Sequence, residues 1–182
     1  MKVLVVIDMQ NDFITGSLAN PVAEKVVPKI VDHIDKFDGD MIVATLDTHN
    51  ENYLDTYEGR HLPIKHCIKD TNGWCLDPEI AGILLRKSIS LSKGVETVYK
   101  PYFNGAQEIC NVFQNNFICP DIIEVVGTVT EICVISNILG LKALYPNAEF
   151  IVYADMCAGL TEEGHKAALE VMKACQVQVV GE

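Results

Sequence analysis

The strongest constraint on the fold is a regular alternation of short apolar runs with longer amphipathic segments. The apolar runs are rich in β-branched residues, as in strands buried on both faces: Lys2–Ile7, Met41–Leu46, Val95–Tyr99, Ile122–Val126, Phe150–Tyr153 and Val177–Val180. Apolar residues at helical spacing predict the intervening helices: Val22–Phe37, Pro78–Lys87, Gln107–Asn115, Val134–Leu144 and Glu162–Ala174, the last with Thr161 as its N-cap. This alternation predicts an α/β protein with three αβα layers around an open, mostly parallel, six-stranded sheet.

The length and net charge of the chain limit its domain organisation and the classes of partner that it can bind. The 182 residues are close to the size of one domain, and no repeat or low-complexity linker divides them, so a single domain over residues 1–182 is predicted. Lys and Arg total 14 against 25 Asp and Glu, a formal charge of −11, which argues against nucleic acid or an anionic membrane surface as a partner. No apolar run reaches the roughly 18 residues that a membrane span needs.

The number and spacing of the cysteines favour a cytoplasmic protein with reduced thiols. One cysteine, Cys133, also has a position that suggests reactivity. There are 7 cysteines, an odd number without a Cys-x-x-Cys pair, and Met1–Ile7 is too short and too soon followed by Asp8 to be an export signal. Cys133 directly follows an apolar run and begins a helical pattern. Unpaired backbone N–H groups at such a junction favour the thiolate, the reactive form, so Cys133 is a candidate nucleophile.

Polar side chains follow four of the predicted strands at their carboxyl ends, where ligands bind in open α/β sheets. Asp8 follows the first strand, Asp47-Thr48-His49 the second and Lys100 the third, and Cys133 comes after the fourth. A carboxylate, a candidate metal-ligand pair, an ammonium and a thiol would then meet at one edge. No Gly-rich phosphate loop follows the first strand, which disfavours a nucleotide or flavin site and a non-catalytic flavodoxin-like carrier.

Taken in order, these motifs resemble one enzyme family. The matching residues are Asp8-Met9-Gln10-Asn11-Asp12-Phe13 after a Val-Val-Ile run, Asp47-Thr48-His49, His66-Cys67 with Gly73, Lys100, Gly127 with Cys133, and Asp155 with Glu163 and His165. They are similar to the isochorismatase-like cysteine hydrolases, and among these most similar to nicotinamidases. The resemblance covers essentially the whole chain, and it implies an isochorismatase-like, Rossmann-like version of the sheet.

The resemblance implies a catalytic triad of Asp8, Lys100 and Cys133. Asp8 would take the thiol proton, Cys133 would attack an amide carbonyl to form a thioester, and Lys100 would hold both groups by its charge. The backbone amides of Val129 and Cys133 would form the oxyanion hole, next to a cis peptide at Thr128–Val129.

The resemblance also implies one divalent metal ion. Asp47 and His49 would bind it together with Glu58 and His66, and His61 is a rival to Glu58 as the third ligand. The position four residues after His49, a histidine in many nicotinamidases, is Tyr53. Zn²⁺ is the first choice, and Fe²⁺ and Mn²⁺ also suit oxygen and imidazole ligands.

The expected substrate is a small-molecule amide bound against an aromatic wall. The resemblance implies that Phe13 supplies that wall, and Phe103 is favoured over Tyr102 or Trp74 for the opposite one. Nicotinamide, hydrolysed to nicotinate and ammonia for NAD salvage, is the leading substrate, and a carbamoyl or ureido amide is the alternative. A homo-oligomer, formed through a sheet edge or a helix face, is compatible with the sequence, which specifies no assembly.

Overall fold

A computed structural model describes residues 1–182 and contains one six-stranded sheet in which every pair of neighbouring strands is parallel. The strands are β1 (Lys2–Ile7), β2 (Met41–Asp47), β3 (Val95–Lys100), β4 (Ile122–Thr128), β5 (Glu149–Ala158) and β6 (Gln178–Val180). Their spatial order is β3-β2-β1-β4-β5-β6. The predicted α/β class, the six strands and the parallel sheet are therefore confirmed.

Seven α-helices connect the strands. They are α1 (Asn11–Ile14), α2 (Pro21–Lys36), α3 (Tyr57–His61), α4 (Pro78–Ser90), α5 (Ala106–Asn115), α6 (Ile135–Leu144) and α7 (Glu162–Ala174), with a 3₁₀ turn at Tyr53–Asp55 and a π-helical turn at Thr130–Val134. The Thr161 hydroxyl accepts the Gly164 N–H, which confirms it as the N-cap of α7.

The core consists of two layers, one on each face of the sheet. Successive residues of β1 point to opposite faces, so Val5 packs with one buried cluster of 25 residues and Leu4 with another of 17. Helices α5, α6 and α7 cover the first cluster, and α2 and α4 cover the second. This arrangement is the predicted αβα sandwich.

The strand order places a crevice between β1 and β4. From β1 the chain proceeds to β2 and β3 on one side, and from β4 to β5 and β6 on the other. The connections that leave β1 and β4 therefore diverge, and the space between them is where such sheets bind ligands. Asp8 follows β1, and the π-helical turn with Cys133 follows β4.

The parallel sheet continues through all six strands, and a single domain over residues 1–182 stays our prediction for the unit that folds. No helix combines the length and the apolarity needed to cross a membrane.

Candidate active site

Asp8 is held rigidly at the end of β1. Its carboxyl is fully buried, and Thr45, on the neighbouring strand β2, donates its hydroxyl to Oδ1 at 2.6 Å. The backbone of Asp8 has φ +49°, a left-handed conformation that costs a non-glycine residue about 1 kcal/mol. The backbone N–H also contacts the carbonyl oxygen of Thr45, at 3.2 Å. The carboxylate is therefore fixed where the chain turns away from the sheet.

Lys100, the last residue of β3, contacts the other groups that the sequence placed at this edge. Its Nζ lies 2.6 Å from Asp8 Oδ2, 3.6 Å from Cys133 Sγ and 3.6 Å from Asp47 Oδ1. The side chain is completely buried. Burial by itself lowers the pKa of Lys100, but the negative charges of Asp8 and Asp47 outweigh it and raise the pKa. Lys100 is therefore an ammonium at neutral pH.

Cys133 lies in the π-helical turn, and its thiol is protonated at rest. Burial raises the pKa of Cys133 well above its usual value, the Asp8 charge raises it further, and Lys100 only partly opposes this. The expectation that a helix start favours the thiolate is therefore wrong here, because desolvation and a neighbouring carboxylate outweigh the backbone dipoles. Activation of this thiol requires a base.

Asp8 has the environment of such a base. Burial raises the pKa of its carboxyl and Asp47 adds to the rise, whereas Lys100 opposes both. No donor is aligned for a hydrogen bond to Oδ2, although the Lys100 ammonium is close enough for an ion pair. Oδ2 therefore faces the same ammonium that contacts the Cys133 thiol.

Asn137, which the sequence analysis did not identify, supports the nucleophile from α6. Its Nδ2 donates to the carbonyl oxygens of Cys133 at 2.7 Å and of Phe103 at 2.9 Å, and its Oδ1 accepts the Gly105 N–H. The side chain is fully buried. A buried asparagine within an apolar helix was the available sequence signal. These bonds hold the turn of Cys133 against the loop that carries Phe103.

The peptide between Thr128 and Val129 is cis, as the resemblance implied. Val129 and Cys133 both line the cavity described below. The part of their amides in an oxyanion hole stays a prediction.

Three metal-ligating side chains converge beside Lys100. The ligand atoms of Asp47, His49 and His66 all lie within 4.8 Å of one another, and all three residues are buried. Asp47 Oδ2 is 2.9 Å from His49 Nε2 and 3.4 Å from His66 Nε2. The Nδ1 of His66 is 2.9 Å from the Ile64 carbonyl oxygen, which can only accept a hydrogen bond. His66 Nε2 therefore keeps a lone pair for a metal ion.

This donor set fits a divalent cation. Two imidazoles and a carboxylate are ligands that Zn²⁺ accepts. Although burial alone would raise the pKa of Asp47, its bonds to His49 and His66 and the charge of Lys100 lower it, so the carboxylate is ionised and ready to bind.

Glu58 and His61, the two candidates for a further metal ligand, differ in their distance from the group of Asp47, His49 and His66. Glu58 Oε1 is 3.7 Å from His49 Nε2 and 3.9 Å from His66 Nε2, just outside the close group. His61 is exposed, and its imidazole contacts Tyr57 instead. The ring of Tyr53 is buried 4.6 Å from that of His49, and its hydroxyl donates to the Leu62 carbonyl. Glu58 is therefore better placed than His61.

Two residues of the Asp8–Phe13 motif support the metal-ligating group from behind. Gln10 donates to the Asp47 carbonyl at 2.9 Å and accepts the Asp47 N–H at 2.7 Å. Asp12 accepts the N–H of Cys67, the residue after His66, at 2.7 Å. Neither role could be assigned from sequence, because the partners lie more than 30 residues away along the chain.

A cavity of about 290 Å³ opens onto these groups. Its lining is mainly apolar and contains no lysine or arginine: Phe13, Leu18, Ala19, Asn20, Asp47, Glu58, Leu62, His66, Phe103, Val129, Ile132, Cys133 and Leu160. Phe13 and Phe103 are both in the wall, whereas Trp74 and Tyr102 are not, and Trp74 stacks on Tyr99. The aliphatic wall residues were not identified from sequence, because no polar chemistry marks them.

Comparison with known proteins agrees with this geometry. The family model described as Isochorismatase domain matches residues 2–181. A nicotinamidase of Saccharomyces cerevisiae is 28% identical, with 99% of each chain covered. The crystal structure of a nicotinamidase from Bacillus subtilis covers 98% of each chain with a TM-score of 0.82 at 24% identity, which shows the fold alone.

A second solved structure adds a metal to the comparison. The pyrazinamidase of Pyrococcus horikoshii, determined in complex with zinc, is 28% identical, covers 100% of this chain and 99% of its own, and has a TM-score of 0.75. The match of the family model over residues 2–181 agrees with the resemblance seen in the motifs. The chain belongs to the Isochorismatase domain family.

Proposed function

We propose that the protein is a metal-dependent cysteine amidohydrolase that converts nicotinamide and water to nicotinate and ammonia. Its membership of the Isochorismatase domain family supports hydrolysis of an amide carbon–nitrogen bond. The observation that carries the proposal is that one buried ammonium, Lys100, contacts both the Asp8 carboxylate and the Cys133 thiol beside the cavity.

In the proposed mechanism Asp8 first accepts the thiol proton, and Cys133 Sγ attacks the amide carbon. The amide carbon–nitrogen bond breaks as Asp8 returns the proton to the leaving nitrogen, and ammonia departs. A thioester joins the acyl group to Cys133. Water then attacks the thioester, Asp8 takes a proton from the water and passes it to the sulfur, and the carboxylic acid leaves.

Lys100 makes this proton transfer feasible. Two anions close together oppose each other's ionisation, and the buried ammonium offsets the charge that moves between Asp8 and Cys133. The backbone amides of Val129 and Cys133 would stabilise the oxyanion, because fixed dipoles need no reorganisation.

Asp47, His49 and His66, with Glu58 at the edge of the group, would hold the divalent ion, with Zn²⁺ the first choice. The ion would act as a Lewis acid that orients the ring nitrogen of the substrate. Phe13 and Phe103 would enclose the ring.

The composition of the cavity favours nicotinamide over the carbamoyl or ureido alternative. A carbamoyl or ureido substrate that carries a carboxylate would need a cationic partner. Apart from the proposed ion, the lining offers no cation, because it contains no lysine or arginine. A flat, neutral ring fits this apolar wall better.

The proposed function is tested by ammonia release from nicotinamide and from a panel of ureido amides. We expect nicotinamide to be preferred, and Cys133→Ala to lower kcat by at least about 1000-fold, because no second nucleophile contacts Lys100. Acid-quenched turnover should leave a nicotinoyl group on the peptide that contains Cys133. Cys119→Ala, which removes an exposed thiol, is the matched control.

Two outcomes would contradict the proposal. Activity of the Cys133→Ala variant within tenfold of the natural protein would exclude the thioester. Ammonia from ureido amides but not from nicotinamide would assign the chain to the alternative substrate class.

A further inference from the structure

A second cavity adjoins the first, and Leu160 lines both of them. The second cavity has a volume of about 260 Å³, and its wall also includes Val22, Cys157, Thr161 and His165. Its lining shares neither Cys133 nor the metal-ligating group. Leu160 therefore lies between the cavity next to the nucleophile and a second cavity of similar volume.

The side chain of Leu160 is loosely packed, but its backbone is fixed. The residue is 63% exposed although it lines two cavities. Its N–H donates to Glu131 Oε1 at 2.8 Å, and the preceding carbonyl, of Gly159, accepts Asn20 Nδ2 at 2.9 Å. A Cβ on Gly159 would lie 2.7 Å from His165 Cβ and 2.9 Å from Glu131 Oε2, so the backbone here packs closely against both side chains.

Glu131 connects this wall to the catalytic turn. It lies two residues before Cys133 in the π-helical turn. Because its carboxylate bonds the Leu160 N–H, the position of Leu160 is set relative to the nucleophile itself. A fixed backbone that carries an exposed apolar side chain between two cavities is suited to limiting the length of what binds.

We propose that Leu160 is a specificity-determining residue that restricts the enzyme to single-ring carboxamides, and that the second cavity is a subsite for the extension of a larger aromatic carboxamide. The proposal rests on the proposed amidase function. Val22 and the buried Cys157 present apolar surface to such an extension, and Thr161 and His165 can bond a polar group on it. Glu131 is the positioning residue that holds Leu160 in place.

The test compares nicotinamide with quinoline-3-carboxamide, which carries a second fused ring. In Leu160→Ala we expect the ratio of kcat/KM for the larger amide over nicotinamide to rise about tenfold. Leu85→Ala is the matched control, because it truncates an exposed leucine of α4 that lines neither cavity, and it should leave the ratio unchanged.

Glu131 is tested by a conservative pair of variants. Glu131→Gln keeps an oxygen acceptor for the Leu160 N–H and should keep the natural ratio. Glu131→Ala releases the backbone of Leu160 and should raise the ratio in the direction of Leu160→Ala. If Glu131 had only a structural role, its variants would change kcat/KM for both substrates by the same factor and leave the ratio unchanged.

Measurements of substrate binding test the role of Leu160 independently of the proposed amidase function. The same ratio, measured as dissociation constants in the Cys133→Ala background, requires no turnover. A shift in the binding ratio without ammonia from nicotinamide would overturn the proposed function alone. Ammonia from nicotinamide with a ratio unchanged within twofold in Leu160→Ala would overturn the role of Leu160 alone.

Discussion

At the scale of single residues, Lys100 joins the candidate acid and the candidate nucleophile, because its ammonium contacts both Asp8 and Cys133. Asp8, Lys100 and Cys133 could be selected because each follows a predicted strand, and the parallel ends of a sheet share one edge. Gln10 and Asn137 could not be selected in the same way, because each donates a hydrogen bond to a carbonyl oxygen more than 30 residues away, of Asp47 and Phe103 respectively. Sequence spacing carries no information about such partners.

The protonation state of Cys133 illustrates a second limit at this scale. Its place near a helix start suggests a thiolate, whereas the structure raises its pKa through burial and the Asp8 charge. Local position in the chain is visible in sequence. Desolvation depends on the packing of every neighbouring element and becomes visible only in the fold.

Glu58 gives a prediction at the residue scale. If it completes the metal site, Glu58→Ala should lower the affinity for Zn²⁺ by about 10- to 100-fold, because one charged oxygen ligand near two imidazoles is lost. Metal content after dialysis against a graded chelator measures this. Glu51→Ala, at an exposed carboxylate paired with Lys65, is the control. Equal retention of zinc in both variants would remove Glu58 from the ligand set.

At the scale of elements, periodicity identifies the long segments and misses the short ones. All six strands and five helices follow from runs of apolar residues, with ends that shift by a few positions. Helices α1 and α3 have 4 and 5 residues, too few to show a period. The π-helical turn that carries Cys133 also escapes prediction, since its residues read as the start of an α-helix.

The end of strand β5 differs from its predicted position by more residues than the ends of the other strands. Its apolar run ends near Tyr153, but the strand continues to Ala158. The pairing register with β4 shifts between Val125 and Gly127, and the strand resumes its bonds beyond that irregularity. An irregularity in one strand, matched by an extra length in its partner, has no signature in the alternation of apolar residues.

Gly127, at that irregularity, gives a prediction for the sheet. Its φ is +127°, and a Cβ there would lie 2.1 Å from the Ile7 carbonyl oxygen of β1. Gly127→Ala should therefore lower the free energy of unfolding by at least about 3 kcal/mol. Gly82→Ala, in helix α4 with open space around its Cα, should raise it by about 0.5–1 kcal/mol. Urea denaturation of both variants measures the contrast.

Equal stability of the two glycine variants would show that the close approach of β4 to β1 relaxes at no cost. It would also weaken the view that the crevice between these strands is rigid.

At the scale of the whole molecule, buried charge is concentrated at both ends of the sheet. The carboxyl ends of the strands carry Asp8, Asp47 and Lys100, while Glu124, near the start of β4, is buried at the other end. Glu124 Oε1 pairs with Lys2 Nζ at 3.0 Å, and Oε2 lies 2.9 Å from His33 Nε2 on α2. This second cluster has no contact with the cavity and serves stability.

Glu124 gives a pH-dependent prediction. Burial opposes its ionisation, but His33 and Lys2 outweigh burial and lower its pKa below the ordinary value of 4.5. The unfolded chain therefore binds this proton more readily than the folded one. The stabilisation is complete above about pH 4.5 and is lost as the pH falls through the lower folded pKa.

Glu124→Gln should accordingly cost about 2 kcal/mol at pH 7 and progressively less in acid, measured by urea denaturation at a series of pH values. Glu96→Gln, at an exposed carboxylate of β3, should show no such trend. A constant difference between Glu124→Gln and the natural protein across that range would contradict the linkage.

The position of β3 in the sheet has a consequence for catalysis. It is an edge strand, bonded to β2 on one side and to no strand on the other, and Lys100 is its final residue. Edge strands fray first, since half of their backbone groups lack a protein neighbour. Local unfolding of β3 would move the Lys100 ammonium away from Asp8 and Cys133. Catalysis would then be lost while the other five strands of the sheet remain folded.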